Sequence, residues 1–79
     1  MKESYYYTIE AFNKETKCYV YRIRYQGWWT TNLSPKCLYK SKRRVLERKN
    51  AEEQNQNLIE RGYSNFKVRK VSICLEEVI

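Results

Sequence analysis

Residues 5–12 (YYYTIEAF) are aromatic and β-branched, with neither glycine nor proline, and predict a strand. The polar stretch Asn13-Lys14-Glu15-Thr16-Lys17 reads as a turn. Residues 18–25 (CYVYRIRY) alternate clearly. Tyr19, Tyr21, Ile23 and Tyr25 fall on one face, Val20, Arg22 and Arg24 on the other. Gln26-Gly27 fits a two-residue hairpin turn, with glycine supplying a positive φ. Residues 28–32 (WWTTN) then return as a third strand. That turn would set Tyr25 against Trp28, Arg24 against Trp29, Ile23 against Thr30 and Arg22 against Thr31.

After Ser34-Pro35, which has the form of a helix start, a main helix is predicted from about Ser41 to a left-handed cap at Gly62. Its apolar stripe is poor. Val45, Ala51, Leu58 and Ile59 share a face that Arg48, Glu52 and Asn55 interrupt, and Leu46 lies off it. Such a helix rests on the sheet mainly by its ends, or is completed by a partner. Phe66 and Val68 are apolar at even positions, Val71, Ile73 and Leu75 at odd ones. A bulge near Lys70 would reconcile the two halves. Residues 76–79 are expected to fray. The order is βββαβ over one domain, 1–79. The expected fold class is α+β, a three- to four-stranded antiparallel sheet packed on one face by a single α-helix.

Composition narrows the chemistry. The chain has 79 residues, no histidine and no aspartate. Without histidine there is no Ser-His or Cys-His pair and no imidazole ligand for zinc. EF-hand calcium loops are excluded with aspartate. The neighbouring glutamates, Glu52–Glu53 and Glu76–Glu77, point different ways from a helix or strand and converge on no substrate. Cys18, Cys37 and Cys74 form neither a CxxC motif nor an even set, so a reduced intracellular protein with cysteines packed as small core residues is expected. Cys37, among lysines, is the one thiol that an enzyme reading would use. The amino terminus runs from charged residues into Tyr5-Tyr6-Tyr7 without the apolar segment of a signal peptide. No apolar run approaches the roughly 20 residues of a membrane span. The expectation is a soluble cytoplasmic protein, not an enzyme, with no cofactor and no metal.

Charge then points to a partner. Lysine plus arginine number 16 against nine glutamates, a net charge of +7. Two features stand out. On the hairpin, Arg22, Arg24, Trp29 and Thr31 would share the sheet face away from the helix, with Tyr6, Thr8 and Glu10 joining them if the first hairpin pairs odd positions with odd. Guanidinium groups beside an indole and hydroxyls suit phosphate contacts, base-edge hydrogen bonds and stacking. The plain alternative is an ordinary wet sheet face, with Arg24 stacked on Trp29. Along the helix, Lys36, Lys40, Lys42, Arg43 and Arg44 crowd the start, and the acids Glu52, Glu53 and Glu60 come late. This order opposes the helix dipole, in which acids stabilise the first turn and bases the last. Pairs such as Arg48–Glu52 and Lys49–Glu53 account for the later bases. They leave the earlier ones as an anion site beside unpaired backbone N–H groups. Lys67, Arg69 and Lys70 would extend this patch if their strand lay at its edge.

The run Tyr19-Val20-Tyr21-Arg22-Ile23-Arg24-Tyr25-Gln26-Gly27, followed by Tyr39-Lys40-Ser41-Lys42 entering a helix, resembles the arm-type N-terminal DNA-binding domains of phage and transposon tyrosine integrases. The resemblance covers roughly residues 18–60. It implies an AP2-like three-stranded sheet laid in the DNA major groove, with Arg22, Arg24, Trp29 and Thr31 facing DNA. These 79 residues hold no catalytic integrase domain, and the strand after Gly62 is an addition. The leading expectation is therefore a small basic protein that binds nucleic acid, duplex DNA first, through the open sheet face and the helix start. The competing one is a protein-binding module or inhibitor of a host complex from a phage or mobile element, with the weakly apolar helix as its protein or homodimer contact.

Overall fold

Asn13 closes the first strand. Its side-chain Oδ1 accepts hydrogen bonds from the backbone of Glu15 (2.9 Å) and Thr16 (3.3 Å), and Lys17 takes the left-handed conformation at φ 60°. The turn brings β1 (Lys2–Asn13) against β2 (Cys18–Arg22), with Asn13 opposite Cys18 and Glu10 opposite Tyr21. The computed structural model describes residues 2–25 and 27–75, and side chains over 5–25 and 27–72. Gln26, the Cys74 thiol and the 76–79 tail lie outside the described residues.

Two-residue β3 (Trp29–Thr30) pairs with β2, and a single 3-10 turn spans Pro35–Cys37 behind Ser34. Helix α1 (Lys42–Glu53) follows, then α2 (Gln56–Glu60) and the long β4 (Tyr63–Leu75). The four strands form one antiparallel sheet in the order β3-β2-β1-β4, an α+β fold. The one long helix expected from the sequence is two. Asn55 caps a new start, accepting from the Asn57 backbone at 3.0 Å. Gly62 takes the expected left-handed position after α2, at φ 91°.

Register decides which face meets the helices. Because β1 pairs even positions with odd ones in β2, Ile9, Ala11, Val20 and Arg22 share a face. That face is the one the helices cover, while Thr8 and Glu10 are buried on the opposite face. Ile9 and Ala11 are fully covered, Val20 nearly so, and Val45 of α1 and Leu58 of α2 complete the core. Arg22 on the same face reaches α1. The sequence expectation placed tyrosines, Ile23 and Trp28 inside and arginines outside, and the structure inverts it. Tyr19, Tyr25 and Trp28 are exposed. The physical reason is visible in β1. Thr8 and Glu10 mark one face as polar, while Ile9 and Ala11 are small enough for a helix to approach closely.

The β2–β3 connection also differs. Arg22 pairs with Trp29 and Tyr21 with Thr30, so the register lies two residues from that of a two-residue turn. Ile23 donates its backbone N–H to Trp28, and Gly27 donates back to Ile23. The irregular β4 residue is Asn65, at φ 52°, where the β1–β4 register slips between Glu10 and Phe12. No bulge occurs near Lys70, since pairing runs unbroken from Lys67 to Leu75. Val71 points to the opposite face from Phe66 and Val68 by simple alternation. The β1–β4 pair runs well past the shorter strands and draws the molecule out to 47 × 26 × 20 Å.

The face away from the helices has its own charge unit. The Glu10 carboxylate is buried between Arg69 (2.9 Å) and Lys67 (3.6 Å), and Tyr21 lies opposite Glu10. Partial burial first, then Glu10, pushes the Tyr21 phenol pKa up, against the pull of Arg69. Glu10 likewise raises that of the Arg69 guanidinium. The raised phenol value means that the fold favours neutral Tyr21. Its contribution is complete below the ordinary phenol value of about 10 and is lost as pH rises through the folded value. Tyr21→Phe should therefore lose less stability than the native chain between about pH 9 and 11, measured by urea unfolding. Parallel losses would show that Tyr21 does not carry the effect.

Candidate anion-binding groove

Tyr39 begins the site. Its backbone exchanges hydrogen bonds with Tyr7 at 2.7 and 2.8 Å, which fixes the connector to the edge of β1 where β2 has ended. The next residues are therefore delivered to one place. Ser41 caps α1, its hydroxyl accepting from the Arg44 backbone at 3.2 Å. Val45 N–H bonds to the Ser41 carbonyl, so the N–H groups of Lys42 and Arg43 are the first-turn donors without a helical acceptor.

Between this helix start and the end of β2 lies an open groove of about 660 Å³. Arg22 and Arg24 come from the β2 side, Lys40 from the connector, and Arg44 and Arg48 from α1. Tyr25, Tyr39 and Ser41 complete the lining. Five cations thus face one depression, and the acid that meets them is Glu52, which takes Arg22 and Arg48, each at 3.1 Å. Arg22 is nearly buried, its side chain 11% exposed against 8% for Glu52. Its Nε is spent on Glu52, and its Nη1 donates to the Tyr39 hydroxyl at 2.7 Å and to the Arg24 carbonyl at 3.3 Å. Arg22 is thereby a fixed part of the wall. Arg24 donates through Nη1 to the Leu38 carbonyl at 2.6 Å, and its guanidinium stacks 4.4 Å from the Tyr25 ring centre. Its Nε is shielded and has no acceptor among the described residues.

Of the nine residues singled out from the sequence, the groove gathers Arg22, Arg24, Lys40 and Arg44. Lys42 and Arg43 sit on the first turn with exposed side chains, and Arg43 lies 3.8 Å from Glu47 in a solvent-exposed pair. Lys36 is exposed on the 3-10 turn and binds the Arg24 backbone through its carbonyl. Thr31 is exposed beyond the end of β3. Trp29 is elsewhere, edge-on to Tyr63 and Phe66 at 5.4 and 5.8 Å between ring centres. The open platform of Arg22, Arg24, Trp29 and Thr31 therefore does not exist. Arg22 and Trp29 lie on the covered face, because the first hairpin pairs even with odd.

Other cations are committed too. Lys67 and Arg69 belong to Glu10 on the far face, and Lys70 stacks 4.1 Å from the Tyr5 ring centre, so none of the three extends the groove. Cys37 is fully buried, whereas Cys18 is exposed and is not a core residue. Sequence reading missed Arg48, Tyr25 and Tyr39. Arg48 was assigned wholly to a helical pair with Glu52, a pair that does form while leaving Arg48 on the groove wall. Among the described residues no cluster could hold a metal ion, and no helix is long and apolar enough to cross a membrane. No protein-family model, curated protein or solved structure matches the chain.

The groove depends on Glu52. Glu52→Gln keeps its shape but leaves Arg22 buried without a counter-charge, which should cost about 3 kcal/mol in urea unfolding. Glu47→Gln, at a pair open to water, should change nothing measurable. Equal effects for the two variants would refute the assignment of Glu52 as the buried anchor.

Proposed function

We propose that the protein binds nucleic acid through its phosphate backbone, held in the groove at the start of α1. One observation carries the reading. Five basic side chains from three separate chain segments converge beside the unpaired N–H groups of a helix start, and Glu52 pairs two of them. Converging like charges repel, and arginines at a helix N-terminus oppose its dipole. An anion removes both costs, and helix N-terminal N–H groups add donors to it. An extended polyanion fits better than a single small ion, because the exposed Lys42 and Arg43 continue the positive surface beyond the groove.

The preference for duplex DNA rested on an open sheet face of arginine and tryptophan, and the register of β1 and β2 withdraws that support. The groove itself favours phosphate over any particular base sequence, because arginine and lysine contacts to phosphate position a nucleic acid without reading it. The resemblance to integrase arm-type domains rests on the sequence motifs of residues 18–60 alone. An acidic protein surface is the second reading, favoured by the exposed Tyr25 among the groove cations.

Binding to random-sequence nucleic acid should weaken steeply with salt. About four phosphates neutralised give a slope of log affinity against log salt near −3. Arg44→Ala should weaken all sequences alike and flatten that slope by about one. Fluorescence anisotropy at several salt concentrations measures both. Affinity unchanged by salt, or by Arg44→Ala in a folded chain, would remove the groove as a phosphate site.

A further inference from the structure

A second depression lies on the other side of the β2–β3 loop. It has a volume of about 290 Å³ and is lined by Gly27, Trp28, Trp29, Leu58, Arg61 and Tyr63. That volume is at the small end of the roughly 300–1,000 Å³ range of ligand sites. Its walls are aromatic. Trp29 is locked by edge contacts to Tyr63 and Phe66, and its indole N–H is shielded without an acceptor among the described residues. Trp28, the residue before β3, is 71% exposed and offers an open ring face. Arg61, directly after α2, supplies a cation at the same cleft.

This cleft and the basic groove are neighbours. Arg22 and Trp29 are a directly opposed cross-strand pair with side chains on the same sheet face. A Cβ added to Gly27, which lines the cleft, would come within 3.3 Å of Nη2 of Arg22, which lines the groove. Gly27 of the cleft and Arg22 of the groove are thus in near contact. A cationic track beside an aromatic platform is the arrangement that single strands use, their phosphates following the charge and their unpaired bases stacking on the rings. A duplex keeps its bases inside its own stack and offers none to such a cleft.

Building on the phosphate reading above, we infer that the ligand is single-stranded nucleic acid, with its backbone in the Arg24–Arg44 groove and one base in the Trp28–Tyr63 cleft. The base stacks on Trp28, which Trp29 backs as part of the cleft wall, and Arg61 meets the next phosphate. This assignment makes the strand state, rather than the sequence, the property that the protein selects.

The test uses the full chain, whose two tryptophans both line the cleft, so that their fluorescence reports on it alone. It is titrated with oligothymidylate, with a duplex of the same length and with polyglutamate. Oligothymidylate should quench the tryptophans and bind at least about tenfold more tightly than the duplex. Trp28→Ala, at an exposed position that the fold tolerates, should weaken oligothymidylate about tenfold, leave the duplex unchanged and preserve the salt slope. Arg44→Ala should weaken both nucleic acids. If the duplex binds as well as the single strand, or Trp28→Ala has no effect, while Arg44→Ala still weakens binding, the strand inference falls and the phosphate groove stands. If neither nucleic acid binds, or polyglutamate binds more tightly than both, the phosphate reading and the strand inference fall together.

Discussion

The contact between Arg22 and Glu52 organises this small domain. Both side chains are about nine-tenths buried and meet at 3.1 Å across thirty residues of sequence. A guanidinium on the covered face of a sheet is costly unless an acid accompanies it. Glu52 is that acid, and its position on α1 sets where the helix crosses the strands. Arg48 shares the carboxylate, so the same contact places a groove cation. Tyr39 takes a further Arg22 donor while its backbone holds Tyr7. Helix, connector and sheet edge are joined through one guanidinium.

That contact also explains which parts of the molecule were legible beforehand. The chain order of strands and helix, the antiparallel meander of the first three strands, the helix start at Ser41 and the cap at Gly62 follow from local signals: alternation, a serine cap and a glycine that accepts positive φ. The face assignment does not. It hangs on the β1–β2 register, fixed by the four-residue turn after Asn13, and a slip of one residue exchanges the two faces. Thr8 and Glu10 against Ile9 and Ala11 were the available signal, and they are outweighed only if the tyrosines of β2 are taken as core. The poor stripe of the helix has the same origin. Glu52 looks like an interruption in a list of apolar positions, yet it is the residue most needed inside.

The candidate site was half legible for a related reason. Charge order along the helix exposes the crowding at its start without any knowledge of the sheet, so Lys40 and Arg44 were found from sequence. Arg22 and Arg24 were found by an argument about the wrong face. They reach the groove because β2 ends at Arg22 and the chain turns there, bringing Arg24 back over the Leu38 carbonyl. Arg48 and Tyr39 come to β2 from seventeen or more residues away in sequence, and no periodicity reports that.

Stability alone does not account for this arrangement. An apolar pair of similar volume in place of Arg22 and Glu52 would hold α1 to the sheet at least as well, since a buried ion pair seldom repays its desolvation. Moving bases away from the first turn of α1 would add favourable dipole interactions. Gly27 sits at φ 70°, where its missing Cβ leaves Arg22 Nη2 room, so the loop too is shaped around that guanidinium. An apolar residue at position 22 would remove the need for a buried counter-charge at Glu52 and would also remove the positive charge that Arg22 brings to the groove wall. The features that cost folding energy are therefore the ones that bring cations and aromatic rings to a common surface, and a polyanion with free bases is the ligand chemistry that uses both.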